Sequence, residues 1–183
     1  CVLAAAGCSK RERPPACAVT ADSLNLGRVV IGDSTFKSFE ISNTGGGTMS
    51  GSVTGPVPGD GFSVIDGVYS LHGGQSRRVT VQFTPTDAGP SACTLALGGA
   101  GCGPVVCTGV GTTIVLTATP DTLDFGTIAP YASANRGSVI TNHGDGEYAR
   151  TIESCDIDFV GSQFLALGPG QSDHLVLSFF PFA

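Results

Sequence analysis

Seven cysteines and three histidines are the residues of this chain best equipped for chemistry, and their spacing decides which chemistry that is. The cysteines stand at 1, 8, 17, 93, 102, 107 and 155. None forms a Cys-x-x-Cys pair, the tight spacing that structural zinc sites use, and His72, His143 and His174 are far apart. His72 sits beside a Gly-Gly turn, His143 in an Asn-x-Gly turn and His174 on the polar parity of a strand, so all three read as solvent-facing. So many cysteines without ligand spacing point instead to disulfides in an oxidising compartment. Cys17, Cys93, Cys102 and Cys107 are the disulfide candidates. Four cysteines allow three pairings, and the sequence does not choose among them. Cys155 is left over.

Other chemistry finds little support. Glu153, Asp156 and Asp158 carry oxygens that suit calcium, but the Gly-hinged ligand spacing of a calcium loop is missing, so they read as an acidic loop. Gly45-Gly46-Gly47 lacks the Lys and Ser/Thr of a phosphate loop. The expectation is therefore no catalytic residue, no metal and no cofactor. Nine basic against fifteen acidic residues, a net charge of −6, argue against a nucleic-acid surface. No apolar run is long enough to span a bilayer. One route to a membrane remains. Val2-Leu3-Ala4-Ala5-Ala6-Gly7-Cys8-Ser9 resembles the end of a bacterial lipoprotein signal, with small residues before a cysteine whose thiol would take the lipid. Residues 1–16 are then a signal remnant and solvated tether, and the protein is exported to the cell envelope, the periplasm or the cell surface.

The elements that must position these residues are strands. Apolar residues make up 41% of the chain and charged residues only 13%, while 27 Gly and 11 Pro are spread along its length. That mixture leaves little room for helices and suits short strands joined by turns. The chain also repeats itself. Leu24-Asn25-Leu26-Gly27 returns as Leu123-Asp124-Phe125-Gly126, and Ile41-Ser42-Asn43-Thr44-Gly45 as Ile140-Thr141-Asn142-His143-Gly144. Leu71 to Ser76 returns as Leu167 to Ser172. Val79-Thr80-Val81-Gln82-Phe83-Thr84-Pro85 is matched by Leu175-Val176-Leu177-Ser178-Phe179-Phe180-Pro181. Each block reads as a strand with its turn, and Asn43 and Asn142 as turn residues that tolerate positive φ. Val79, Val81 and Phe83 alternate with polar residues, the period of a half-buried strand, and Leu175, Leu177 and Phe179 repeat that face.

Short strands with frequent turns indicate an all-β fold of tandem immunoglobulin-like sandwiches, residues 17–111 and 112–183. Nothing after Pro181 matches the segments around Cys93–Leu97 and Val105–Val110, so the second sandwich is expected to be incomplete. The blocks quoted, with Val30-Ile31-Gly32-Asp33-Ser34 and Val105 to Gly111, resemble the ASH (abnormal-spindle and hydin) group, whose bacterial versions are the choice-of-anchor D repeats of surface proteins. The resemblance spans about residues 17 to 181. It implies a non-catalytic binding or scaffolding module that meets a protein partner or associates with itself. A second reading of a different class is a self-assembling subunit completed by strand donation.

Overall fold

A computed structural model of the chain describes residues 13–57, 59–99, 101–154 and 156–181. Cys8, with the lipid-signal and tether segment through residue 12, lies outside the described residues, as does Cys155. The fold is all-β, without helix among the described residues.

Strands β1 (Cys17–Val19), β3 (Thr35–Asn43), β7 (Ser76–Phe83) and β5 (Phe62–Ile65) form one antiparallel sheet in that order. Strands β2 (Ser23–Val30), β9 (Val105–Thr112), β8 (Gly89–Leu97), β4 (Thr48–Thr54) and β6 (Val68–His72) form the facing sheet, in which β2 runs parallel to β9. One core fills the space between, an immunoglobulin-like sandwich. Alternation explains which side chains enter it. Phe39, Ile41, Val79, Val81 and Phe83 are buried, whereas Thr80 and Gln82 between them are half-exposed.

A further pair of sheets follows. Strands β10 (Leu116–Thr119), β11 (Ala134–Asn142), β15 (Ser172–Phe179) and β13 (Phe159–Val160) form one, and β12 (Tyr148–Glu153) with β14 (Ser162–Leu167) the other. Ile140, Leu165 and Leu167 are buried between them. Leu175, Leu177 and Phe179 were expected to be as buried as Val79, Val81 and Phe83, but all three are half-buried. The reason lies in the sheet opposite. In the first pair of sheets that layer has five strands, and among the described residues its counterpart has two. A second expectation also changes. Leu123 to Ile128, read as a strand, makes no ladder. Its counterpart β2 is an edge strand whose ladder partner is β9, and no described strand lies in the equivalent position.

The repeated blocks carry the same hydrogen bonds. Asn25 Oδ1 accepts from Gly27 N at 2.8 Å, and Asp124 Oδ1 accepts from Gly126 N at 2.8 Å. Gln75 Oε1 accepts from His72 N at 2.9 Å, and Gln171 Oε1 from Gly168 N at 2.8 Å. Asn43 and Asn142 prove to be strand ends with fully buried side chains, and neither has positive φ. Asn43 Nδ2 donates to Leu71 O at 3.0 Å, and its Oδ1 accepts from Gly45 N and Ala16 N at 3.1 Å each. Asn142 Nδ2 donates to Leu167 O at 3.0 Å and Gly146 O at 2.7 Å, while its Oδ1 accepts from Gly144 N at 3.0 Å. Each amide thus ties one sheet to the other, satisfying backbone groups that would be costly to bury alone.

The glycine two residues on has a steric role. A Cβ on Gly45 would run into the carbonyl of Pro14, and one on Gly144 into the carbonyl of Thr113. Close backbone approach, rather than positive φ, requires glycine at both places.

Candidate functional site

Of the four cysteines expected to pair, two are joined in the structure and two, Cys93 and Cys107, are free. Cys17 and Cys102 form a disulfide that spans 85 residues of sequence, with Cα atoms 5.2 Å apart. It fastens β1 of one sheet to the loop joining β8 and β9 of the other. Closing a loop of that length restricts the unfolded chain strongly, an effect of about 4.5 kcal/mol in the chain-entropy picture. Cys93 and Cys107 stand directly opposite each other on β8 and β9 as free, buried thiols. Burial pushes the Cys93 thiol up to about 12, with Cys107 and Asp60 adding to the effect. Burial also raises Cys107, partly offset by the hydrogen bond it receives from Cys93. A thiol so held carries almost no thiolate at neutral pH and is a poor nucleophile.

The histidines are surface groups. His72 Nδ1 pairs with Thr48 Oγ1 at 2.9 Å, and His143 Nε2 with Thr117 Oγ1 at 3.0 Å, both exposed. His174 is exposed on β15. Asp156 and Asp158 lie in the turn before β13, where Asp156 Oδ1 accepts from Asp158 N at 3.3 Å. Among the described residues no three His, Cys, Asp or Glu side chains gather as metal ligands would.

Sequence spacing gave no hint of the most organised polar cluster, because its members come from distant segments. Arg28, on β2, donates through Nη2 to Asp145 Oδ2 at 2.9 Å and to Asp145 O at 2.7 Å. The other carboxylate oxygen, Asp145 Oδ1, accepts from Thr113 N at 2.8 Å and Thr113 Oγ1 at 3.2 Å. The Thr113 backbone hydrogen bond is the largest cause holding the Asp145 carboxyl below its ordinary value, with the Thr113 hydroxyl and the Arg28 charge adding to it.

This cluster lies where β9 passes into β10. Thr112 O accepts from Ile31 N at 2.9 Å, Thr113 O from Gly146 N at 2.8 Å, and Val115 O from His143 N at 2.7 Å. A peripheral ion pair, Arg150 Nη2 to Asp33 Oδ1 at 3.9 Å, joins the same two regions. The connecting segment is therefore bonded to the strands before it and to the loop after it.

No protein-family model and no curated protein matches the chain. Among solved structures, a protein of unknown function from Porphyromonas gingivalis W83 is similar over 90% of this chain and 83% of its own, at 16% identity and a TM-score of 0.42. The periplasmic chaperone SfaE is similar over 86% of each chain, at 9% identity and a TM-score of 0.42. The ASH / PapD-like domain 7 of human CEP192 covers 52% of this chain and 84% of its own, at 12% identity and a TM-score of 0.42. These are remote likenesses, and the functional reading rests on the geometry of the chain itself.

Proposed function

We propose that this is an exported, non-catalytic binding or scaffolding protein in which two immunoglobulin-like sandwich units, residues 17–111 and 112–183, are held as one rigid pair. The observation that carries this reading is the junction built on Asp145. A binding array with flexible links gains reach, whereas one with bonded links fixes the spacing and orientation of its faces. Here the link is bonded on both sides, and Arg28 reaches across to the Asp145 loop. The non-catalytic part is supported by thiols that are buried with raised pKa and by histidines engaged with surface threonines. Export is supported by the Cys17–Cys102 disulfide.

Small-angle scattering on the full chain tests the rigid pair. The wild type should fit one compact arrangement of the two units. Asp145→Ala, which removes the Arg28 ion pair and both Thr113 contacts and leaves only the Arg28 bond to the residue 145 carbonyl, should broaden the distance distribution. Identical curves for the two would contradict the junction's role.

A second reading has its own support. In the first unit β4 pairs with β6 on one side and β8 on the other, whereas β12 pairs with β14 alone among the described residues. An edge of that kind accepts a strand from a partner of the same backbone chemistry, as strand-donating subunits do. A synthetic peptide of residues 89–112, the hairpin that fills this position in the first unit, is the probe. Slowed amide exchange at residues 148–153 on adding it would favour strand acceptance. Unchanged exchange would leave the scaffold reading alone.

A further inference from the structure

We infer that Cys93 and Cys107 are a second disulfide site, a cross-strand bond of the β8–β9 hairpin, made by exchange with a disulfide-bearing oxidant before the hairpin packs into the core. Three observations converge on it. Cys93 and Cys107 are direct partners in the antiparallel register, and residues so placed lie about 4.5–5.5 Å apart at Cα, inside the range a disulfide spans. Both side chains point to the same face, since both are buried in one core, and the Cys93 S–H donates to Cys107 Sγ. Cys17 and Cys102 are already joined to each other, so of the three pairings among the four cysteines one remains.

The order of events follows from access. In the folded protein Cys107 is fully buried and Cys93 is 8% exposed. Disulfide exchange needs a thiolate in contact with the attacking partner, and here both charge and access are suppressed. In the unfolded chain the two cysteines are close in sequence, ionise normally and meet readily, because closing a short loop is fast. The step is balanced. Two S–H bonds break and one S–S bond forms, while two electrons and two protons pass to the oxidant, whose own disulfide becomes two thiols. The inference rests on the exported reading only for where such an oxidant is met, and the test supplies the oxidant directly.

The full chain is unfolded and reduced, then refolded in a buffer of oxidised and reduced glutathione. Remaining thiols are alkylated in denaturant and each cysteine is assigned by peptide mass. Cys93 and Cys107 should be unalkylated and found linked to each other, in the same sample that contains the Cys17–Cys102 bond. Alkylated Cys93 and Cys107 beside an intact Cys17–Cys102 bond would overturn the site, and so would either cysteine bonded elsewhere. In a second arm the protein is folded under reductant and oxidised glutathione is added afterwards. The Cys93–Cys107 bond should then form at least about tenfold more slowly than during refolding. Equal rates in the two arms would overturn the proposed order. Neither arm depends on where the cell sends the protein.

Discussion

Asn43 and Asn142 occupy the same position in the same network. Each is the buried last residue of a central strand, β3 or β11, and each donates through Nδ2 to a carbonyl of the facing sheet, Leu71 O or Leu167 O, at 3.0 Å. Their backbones match as well. Asn43 N donates to Gln75 O and Asn142 N to Gln171 O, at 2.9 Å each, while Asn43 O accepts from Gly74 N and Asn142 O from Gly170 N. One amide side chain therefore sets the distance between two sheets twice in the chain.

Removing that amide should be costly. Asn43→Ala strands the amides of Gly45 and Ala16 and the carbonyl of Leu71. Of the three, the bond to the Leu71 carbonyl is the buried one, and a buried group left without a partner costs about 1–3 kcal/mol, so a loss of that order is expected in urea unfolding. Asn43→Asp should also destabilise, because it turns the donor facing Leu71 O into an acceptor. A loss below about 0.5 kcal/mol for Asn43→Ala would mean the network is ornamental.

Gly45→Ala and Gly144→Ala should each destabilise by about 1–3 kcal/mol, as overpacking against backbone does. The added methyl would meet the Pro14 carbonyl in one case and the Thr113 carbonyl in the other. Gly103→Ala is the control, since a Cβ there meets nothing within 4 Å and the residue has no positive φ. Equal thermal melts for all three variants would contradict the close approach.

Core truncations should separate the two pairs of sheets. Leu95→Ala removes a side chain with 0% exposure from the larger core and should cost about 2–5 kcal/mol. Leu177→Ala removes a half-buried one and should cost clearly less. A larger loss for Leu177→Ala would show that the second core is tighter than its two-stranded layer allows.

The alternation of β7 and the repeated blocks were readable from sequence, because strand burial is written in a two-residue period that needs no tertiary knowledge. Val79, Val81 and Phe83 all fell on the expected face. The role of Asn43 was not readable. An Asn near a Gly has the composition of a turn, and its buried bond to Leu71 depends on how two sheets stack. The Arg28–Asp145 contact was hidden for the same reason, since 117 residues separate the partners. The cysteines lay between these cases. Their types announced disulfide chemistry, but only the register of β8 against β9 set Cys93 opposite Cys107 and left Cys17 to Cys102. Leu123 to Ile128 shows the converse. Its sequence matches β2, yet a strand exists only where a neighbour completes the ladder.

Acid should loosen the junction. The Asp145 carboxyl is lowered from its ordinary 3.8, first by the Thr113 amide. A group whose pKa is depressed by folding contributes stability above its unfolded value and loses that contribution as pH falls through the folded value. The Asp145 side-chain resonance should therefore titrate with a midpoint below 3.8, and the Thr113 amide should shift with it. A midpoint at or above 3.8 would show that the contact is not maintained in solution. Salt should weaken the Arg28 part, since both side chains are more than half exposed.

Residual dipolar couplings of backbone amides, collected separately for residues 17–112 and 116–179 of the full chain, test the rigid pair most directly. One alignment tensor should fit both sets, because the segment between β9 and β10 is hydrogen-bonded on either side and Arg28 closes the gap to Asp145. Asp145→Ala should split the fit into two tensors of different magnitude. Two tensors in the wild type would contradict the fixed spacing on which the scaffold reading stands.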